Sequence, residues 1–268
     1  MNFTIFAKSQ LKRVPVIGPF LQRFWRRWNP SASRPSPPRF LRAPVDEAAP
    51  PESQQLQKSL NLLNYAKQGD KAYSASKYPG GYHTLTIGDV RLEGQRDPSF
   101  RLKLAPFDFK GKTVLDIGSN QGGMLFEVGR EIKWGVGIDY DPKMVNVANR
   151  IASIQGFHHV RYYVFDVARE PLDLIRDLLP EPRVDIVFLL SVCMWIENWK
   201  TVIAFAAEIS DAMLFESNGT PEQQLEQEQE LRIRYASVKQ LAAQSTDDAN
   251  QKMRKLFYCR AAPAGNGT

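Results

Sequence analysis

The sequence predicts an α/β protein in which helices cover both faces of a parallel sheet. From residue 112 onward, short apolar segments typical of buried strands alternate with amphipathic segments of helical period. The 268 residues are 43% apolar and 24% charged, which is ordinary for a globular protein with a full core. The net charge of +6 comes from basic residues near the amino terminus, which predicts an arm in front of the folded part.

The predicted elements follow one another so that a helix comes after each strand. The strands are predicted at residues 112–118, 136–139, 160–165, 184–190 and 212–215, and the helices between them at residues 122–132, 142–155, 172–179 and 199–209. A further helix is predicted at residues 222–235 and a closing strand at residues 255–260. Before this region we expect a helix at residues 52–68 and a hairpin at residues 84–92.

Basic residues dominate the first 44 residues, which contain nine Lys or Arg and no Asp or Glu. The other 224 residues carry 26 basic and 29 acidic side chains, so the body of the protein is mildly acidic. Residues 19–28 are predicted to form a short helix with one basic face (Arg23, Arg26, Arg27) and one apolar face (Phe20, Leu21, Phe24, Trp25, Trp28). Residues 29–51, rich in Pro, Ser and Ala, predict an extended linker.

Three uses of this basic amphipathic arm are compatible with its composition. A targeting peptide fits the absence of acidic residues, and a nucleic-acid arm fits the charge. Peripheral membrane attachment through residues 1–28 fits the charge and the aromatic face together, and we favour it. Because no apolar run approaches the ~20 residues needed to span a bilayer, we expect a cytoplasmic protein that attaches peripherally to the inner face of a membrane.

The two cysteines, Cys193 and Cys259, both lie in apolar, strand-like surroundings. They are predicted to be buried thiols of a protein from a reducing compartment. Neither a disulfide nor a metal site is expected from them.

The segment VLDIGSNQGG at residues 114–123 is the most informative motif. An apolar strand ends in Asp116, and Gly118 and Gly122 bracket a tight turn into a helix. In a parallel sheet, ligands bind beyond the carboxyl ends of the strands, where glycine lets a ligand touch the backbone. The spacing D-x-G-x-x-x-G differs from that of dinucleotide-binding loops and offers a carboxylate where a pyrophosphate would be repelled, which favours a ligand with a positive charge.

Two further carboxylates follow the next two predicted strands. Asp139 lies 21 residues after Gly118, where a carboxylate can accept hydrogen bonds from ribose hydroxyls. Asp166 comes directly after the third strand, where it could accept a hydrogen bond from an adenine amino group while Val167 packs on the ring.

These three segments, in this order and at these intervals, resemble the class I methyltransferases that use S-adenosylmethionine. The resemblance covers residues 112–219 well. It implies a Rossmann-like, doubly wound, mostly parallel sheet of seven strands whose last strand is antiparallel, with residues 255–260 as the candidate. Together with the charge and composition of the first 51 residues, it divides the chain into three predicted parts: the arm and linker at residues 1–51, a helix and acceptor-side segment at residues 52–111, and the methyltransferase domain at residues 112–268.

The resemblance also implies which residues hold the cofactor. By position, Asp116 and Gly118 would face its methionine moiety, Asp139 its ribose and Asp166 its adenine. The full predicted set is Asp116, Gly118, Ser119, Asn120, Gly122, Asp139, Tyr140, Asp166, Val167 and Ser191.

Candidate acceptor-side residues lie outside this set. His83 is a candidate general base, with a surface histidine as the alternative, and Glu216 competes with it for a catalytic role. Three arginines could clamp a phosphate or carboxylate, or else belong to a solvated loop: Arg91, Arg96 and Arg101.

The sequence therefore predicts a methyltransferase that modifies a small-molecule or a lipid- or saccharide-linked acceptor, with O-methylation favoured. An RNA methyltransferase, for example of tRNA, is one alternative, although SVCMW at residues 191–195 lacks the proline-flanked motif of base-modifying enzymes. A non-catalytic cofactor-binding partner or scaffold protein is the other alternative.

Overall fold

The fold is built on strands and helices that alternate along the chain, in a computed structural model that describes residues 43–67, 77–245 and 253–262. The strands in chain order are β1 (Gly81–His83), β2 (Leu85–Ile87), β3 (Val90–Leu92), β4 (Gly94–Arg96), β5 (Thr113–Ile117), β6 (Trp134–Asp139), β7 (Val160–Val164), β8 (Val184–Leu190), β9 (Ser210–Glu216), β10 (Ser237–Ala242) and β11 (Leu256–Arg260). The helices are α1 (Pro51–Ala66), α2 (Pro98–Leu104), α3 (Gly123–Val128), α4 (Pro142–Ile154), α5 (Trp199–Ile209) and α6 (Pro221–Arg234). Two short 3₁₀ helices span Leu172–Leu178 and Cys193–Trp195.

Seven strands form one central sheet in the order β10, β11, β9, β8, β5, β6, β7. β11 is antiparallel to both of its neighbours, and the other contacts between neighbouring strands are parallel. The predicted seven-stranded, mostly parallel sheet with an antiparallel last strand is confirmed. The carboxyl ends of β5, β6, β7, β8 and β9 therefore lie at one edge of the sheet, where the sequence motifs are found.

The sheet separates two apolar cores. Along β8, Phe188 belongs to the core with α1, α3 and α4, whereas Val187 and Leu189 belong to the core with α5 and α6. This alternation follows from the two-residue period of a strand, and burial on both faces explains why β8 is a continuous apolar run. The thiols of Cys193 and Cys259 are buried as predicted, and burial raises the pKa of Cys193 to about 12.

Four short strands precede the central sheet and form two small pairs. β2 and β3 make the predicted hairpin, with Leu85 opposite Leu92. β1 and β4 pair in parallel, which places His83 opposite Arg96. A side chain at Gly94 would collide with the backbone of His83, so this close crossing requires glycine.

Several boundaries differ from the prediction for local reasons. The helix predicted at residues 122–132 ends at Val128, with Gly129 as its C-terminal cap, and residues 172–178 form a 3₁₀ helix. β10 was missed because it is an edge strand in which no residue is fully buried, so it shows no buried apolar pattern. The predicted arm helix and linker at residues 19–42 lie outside the described residues. No helix in the part of the chain that the structure describes is long and apolar enough to cross a membrane.

A carboxylate joins the amino ends of β5 and β8. Asp185 Oδ2 accepts hydrogen bonds from the Thr113 backbone N–H at 2.8 Å and from its hydroxyl at 2.7 Å, and Lys112 Nζ donates to Oδ1 at 2.9 Å. Burial raises the pKa of Asp185, but the hydrogen bonds from Thr113 and Lys112 outweigh it, so the pKa is lowered from 3.8. The ionised carboxylate therefore stabilises the folded state above that value, and this stabilisation is lost as the pH falls through the lowered pKa.

We predict that Asp185→Asn lowers the free energy of unfolding at pH 7 by about 1–3 kcal/mol, because the buried Thr113 N–H loses a charged acceptor. The difference in free energy of unfolding between this variant and the wild type should shrink as the pH falls below 3.8. Urea unfolding at several pH values measures it. Asp173→Asn, which removes a carboxylate that is 87% exposed, is the control and should change little. A loss that is equal at all pH values would contradict the ionic contribution.

Candidate functional site

The loop between β5 and α3, residues 118–122, is the centre of the candidate site, and we call it the cofactor loop because the sequence predicts cofactor-binding residues there. Three of its residues have positive φ: Gly118 at 80°, Asn120 at 48° and Gly122 at 89°. A Cβ at Gly118 would lie 2.6 Å from the Val192 side chain, so glycine is required both for the conformation and for the space. The backbone N–H groups of Gly118 and of the next residue donate to the Ile138 carbonyl, which ties the loop to the end of β6.

Asp116 places a buried carboxylate directly beneath this loop. Its side chain lies on β5 between Gly137 of β6 and Phe188 of β8, with 2% of the residue exposed. Within the described residues, Oδ2 has no hydrogen-bond partner. Burial, and to a smaller extent the charge of Asp139, raises the pKa of Asp116 to about 8. A cationic ligand group would stabilise the ionised form of this carboxylate.

Asp139 ends β6 and is held in place by two backbone groups. The Asn120 N–H donates to its Oδ2 at 2.9 Å, and the Asp141 N–H donates to its Oδ1 at 2.9 Å. Each carboxylate oxygen can accept more than one hydrogen bond, so the orientation is suited to a pair of ligand hydroxyls. Tyr140 follows with 50% of its surface exposed, at the mouth of the same edge.

Asp166 and Val167 follow β7 at the same edge of the sheet. Asp166 is half-buried, and its Oδ1 accepts a hydrogen bond from the Ala168 N–H at 3.0 Å. The Val167 carbonyl accepts one from Asn198 Nδ2 at 2.7 Å, which joins this loop to the start of α5. Asp166 is more exposed than Asp116 and Asp139 and lies nearer the rim.

Ser191 ends β8 in a left-handed conformation, with φ at 61°. Its backbone N–H donates to the Glu216 carbonyl at 2.9 Å, and its hydroxyl donates to Glu216 Oε2. Its own carbonyl accepts a hydrogen bond from Asn218 Nδ2 at 2.5 Å. A non-glycine residue in this conformation is strained, so these three contacts hold it in place next to the cofactor loop.

Glu216, at the end of β9, is the centre of a buried cluster of charges. Arg96 Nη2 donates to its two oxygens at 3.0 and 2.9 Å, and Arg101 Nε and Nη2 donate at 3.1 and 3.2 Å. Arg254 Nη1 lies 3.7 Å from Oε2. We call the four side chains Glu216, Arg96, Arg101 and Arg254 the arginine cluster. The contacts to Glu216 hold its carboxylate as an anchor for guanidinium groups, an environment that suits a general base poorly.

The other predicted acceptor-side residues are placed differently. His83 is 7% exposed, and its side chain lies against Gly123, where an added Cβ would collide with it. Arg91 is separate from the arginine cluster: it makes an exposed ion pair with Asp97 at 2.8 Å. The structure therefore brings His83, Arg96 and Arg101 into the buried side of the site and leaves Arg91 at the surface.

Two residues of this site have no signal in the sequence that would identify them. Arg254 reaches Glu216 only because of the direction of β11, and nothing in its local sequence indicates this. Gln121 stands inside the quoted loop motif, but its side chain points away toward β1, where Nε2 donates to the Gly80 carbonyl at 2.5 Å. Within the described residues, no group of three or more His, Cys, Asp or Glu side chains is arranged to hold a metal ion.

Residues 108–264 match the family described as methyltransferase domain. The chain belongs to this methyltransferase family. It is an enzyme that uses S-adenosylmethionine, as the sequence predicts.

Individual relatives are more distant. The chain is 27% identical over 167 residues to the U6 snRNA methylphosphate capping enzyme Amus of Drosophila melanogaster, over 57% of this chain and 53% of that protein. The chain thus spans about half the length of this curated relative. Among solved structures, the N-terminal domain of EvdMO1 with S-adenosylhomocysteine bound has a TM-score of 0.51 and 13% identity, covering 67% of this chain and 90% of that one. WbdD, crystallised with a kinase inhibitor, has a TM-score of 0.52 and 20% identity, covering 67% and 45%. These two likenesses show the shared fold.

The residues of the site fit S-adenosylmethionine. The Asp116 oxygen that lacks a partner among the described residues suits a cation, and the cofactor carries positive charge on its sulfonium and amino groups. Gly118 leaves the backbone open to a ligand, since it is exposed. The oriented carboxylate of Asp139 suits hydroxyl groups.

We predict that binding of S-adenosylmethionine at pH 7 releases a proton from Asp116, since its pKa of about 8 leaves the carboxyl protonated in the free protein. Affinity should rise by up to about tenfold per pH unit below 8 and then level off. Calorimetry in buffers of different ionisation enthalpy measures the release. In the free protein, burial raises the pKa of Asp116 from 3.8 to about 8, so the protonated carboxyl favours the folded state. This contribution to stability is fully present below 3.8 and is lost as the pH rises through about 8.

Asp116→Asn should abolish both the proton release and the pH dependence of binding. Asp185→Asn, at the opposite ends of the strands, should retain both. Binding of S-adenosylmethionine to the wild type with no proton release at pH 7 would contradict the assignment of a cationic ligand group to Asp116.

Proposed function

We propose that this enzyme transfers the methyl group to a phosphate oxygen of a small-molecule or a lipid- or saccharide-linked acceptor. The arginine cluster carries the proposal, because it gathers three guanidinium groups at the edge of the sheet where the cofactor loop lies. Within the described residues, these three groups contact the carboxylate of Glu216. A guanidinium has five N–H donors and can contact more than one acceptor at once.

The relative from Drosophila supports phosphate as the accepting group, since it is named as a methylphosphate capping enzyme. A phosphate monoester is already largely ionised at neutral pH and needs no general base. This agrees with the role of Glu216 as an anchor for arginines. With a phosphate acceptor, His83 would therefore serve only to pack against or orient other residues of the site.

The chain's residues have distinct tasks in such a transfer. The cofactor supplies an electrophilic methyl group on a sulfonium. Asp116 and Asp139 fix its position from below the loop, while Arg96 and Arg101 orient the phosphate so that one oxygen lies in line with the methyl group. The buried location of the arginines excludes water and strengthens their attraction for the anion.

RNA with a terminal phosphate is the second candidate acceptor, and the same relative favours it because its name specifies an RNA. The mildly acidic body of this chain disfavours it, since a long polyanion would be repelled unless the arm at residues 1–44 supplied the contacts. A test must therefore compare acceptors that carry the same phosphate on different carriers.

We predict that methyl-labelled cofactor transfers label to a phosphorylated acceptor and not to its dephosphorylated counterpart. The acceptors are a sugar phosphate, a polyprenyl phosphate and a 5′-phosphorylated RNA oligonucleotide, each paired with the compound that lacks the phosphate. Label on the first or second supports the proposal, and label on the RNA alone favours the second candidate. Label on a dephosphorylated compound would contradict phosphate methylation.

Variants test the arginines in the same assay. Arg96→Lys and Arg101→Lys should lower turnover at least tenfold, because lysine lacks the planar guanidinium and its several N–H donors. Both should change affinity for S-adenosylhomocysteine by less than about threefold. Arg183→Lys, whose guanidinium makes an exposed pair with Asp211, is the control and should retain full turnover.

We also propose that the arm attaches the enzyme peripherally to a membrane with anionic lipids. The support is the sequence of residues 19–28, which combines an aromatic face with three arginines. Attachment would bring the enzyme close to a lipid-linked acceptor.

We predict that the full chain co-sediments with vesicles of phosphatidylcholine and phosphatidylglycerol. Replacement of Phe24 and Trp25 by Ser should weaken this at least tenfold, since burial of two aromatic side chains contributes several kcal/mol at ~25 cal/mol per Å². Phe40→Ser, in the linker, is the control. If the full chain does not bind vesicles but binds RNA with a steep salt dependence, the result would contradict the membrane proposal.

A further inference from the structure

Gln121 projects from the cofactor loop into the segment that carries His83. Its side chain is buried, with 1% of the residue exposed. Nε2 donates to the carbonyls of Gly80 at 2.5 Å and His83 at 3.4 Å, and Oε1 accepts from the Tyr82 N–H at 3.3 Å. Both ends of one amide are thus used to hold β1 against the loop.

The contact depends on glycines on both sides. Gly81 has φ at 78°, and a Cβ there would lie 2.8 Å from Gln121 Oε1. A Cβ at Gly123 would collide with the His83 side chain. The loop and β1 therefore approach more closely than side chains would allow, so a shift of one requires a shift of the other.

Hydrogen bonds connect this contact to the carboxylate of Asp139. The Asn120 N–H donates to Asp139, and Asn120 Oδ1 accepts from the Gln121 N–H at 2.8 Å. On the other side, His83 is paired in register with Arg96, which holds Glu216. One continuous series of contacts thus runs from a cofactor-side carboxylate to the arginine cluster, and Gln121 is its middle member.

We propose that Gln121 is a positioning residue that couples occupation of the cofactor site to the placement of His83 and Arg96. Cofactor contacts that fix Asp139 and the loop also fix the Gln121 amide, and the amide in turn holds β1 and, through it, β4. Coupling of this kind is reciprocal, so order in the β1–β4 segment favours cofactor binding. The inference goes beyond the proposed function: it requires the cofactor site and makes no use of phosphate as the acceptor.

Hydrogen exchange with and without S-adenosylhomocysteine tests the coupling in the full chain. In the wild type, saturating S-adenosylhomocysteine should slow exchange of the amides between Tyr82 and Arg96 at least tenfold. We expect this ligand-dependent slowing between Tyr82 and Arg96 to fall below twofold in Gln121→Ala and in Gln121→Glu. Gln121→Glu keeps the side-chain volume but turns an acceptor toward two carbonyls. Exchange at the end of β6 should still slow in both variants. Their affinity for S-adenosylhomocysteine should drop by about tenfold.

Gln224→Ala is the matched control, because Gln224 is also buried and also holds a backbone carbonyl through its amide, that of Gly219. It should retain the ligand-dependent slowing. A purely structural role for Gln121 predicts faster exchange in its variants with and without ligand, with an unchanged ratio between the two conditions.

Three results would overturn the proposal: a wild type whose residues 82–96 exchange equally with and without ligand, Gln121 variants that keep the wild-type ratio, or a Gln224→Ala variant that loses it. The wild-type comparison decides the first of these even if both Gln121 variants fail to fold. Absence of label transfer to any phosphorylated acceptor leaves this measurement unaffected, so failure of the coupling and failure of the phosphate proposal are distinguishable.

Discussion

Two buried carboxylates on adjacent parallel strands are the constraint on which the rest of this site depends. Asp116 and Asp139 lie on β5 and β6 near their carboxyl ends, and each is less than a tenth exposed. Like charges that share a buried site oppose each other's ionisation, and the pKa of Asp116 is raised to about 8 by burial and by Asp139. Asp139 is held ready by two backbone N–H groups, whereas Asp116 lies deeper. A ligand that brings positive charge to Asp116 and hydroxyl groups to Asp139 lowers the free-energy cost of burying each ionised carboxylate.

The direction of the last strand determines what surrounds the acceptor side. Because β11 is antiparallel to β9, its first residue, Leu256, lies opposite Glu216, the last residue of β9. Arg254 therefore enters the same edge of the sheet at which the parallel strands end. Arg96 and Arg101 reach that point from the segment before the sheet, so the arginine cluster joins three distant parts of the chain at a single carboxylate.

How much of this could be predicted from the sequence depends on the range of the interactions. The strands β5, β6, β8 and β9 were predictable because each is a largely buried apolar run. Asp116, Asp139 and Asp166 were found because each comes at or just after the end of a predicted strand. β10 was not, because an edge strand needs no apolar pattern. The arginine cluster joins residues more than 100 positions apart, for example Arg96 and Glu216, and no local pattern reports such a contact. Ser191 and Gln121 both lie in motifs found in the sequence. The strained φ of Ser191 and the direction of the Gln121 amide are properties of the packed structure, which the motifs do not report.

A buried ion cluster is weak evidence for stability, since removing charges from water can cost more than their attraction returns. Its presence beside a cofactor site is better explained by orientation. Arg101 makes a forked contact with Glu216, which fixes the plane of its guanidinium, and Arg96 bridges both oxygens with one nitrogen. Ser191 adds a hydroxyl to the same carboxylate, so the strained end of β8 is tied to the arginines as well. In the proposed transfer to phosphate, Glu216 would act without touching the acceptor. It holds the guanidinium groups in fixed positions, and an acceptor that is already ionised would need only such fixed positive charge beside the methyl donor.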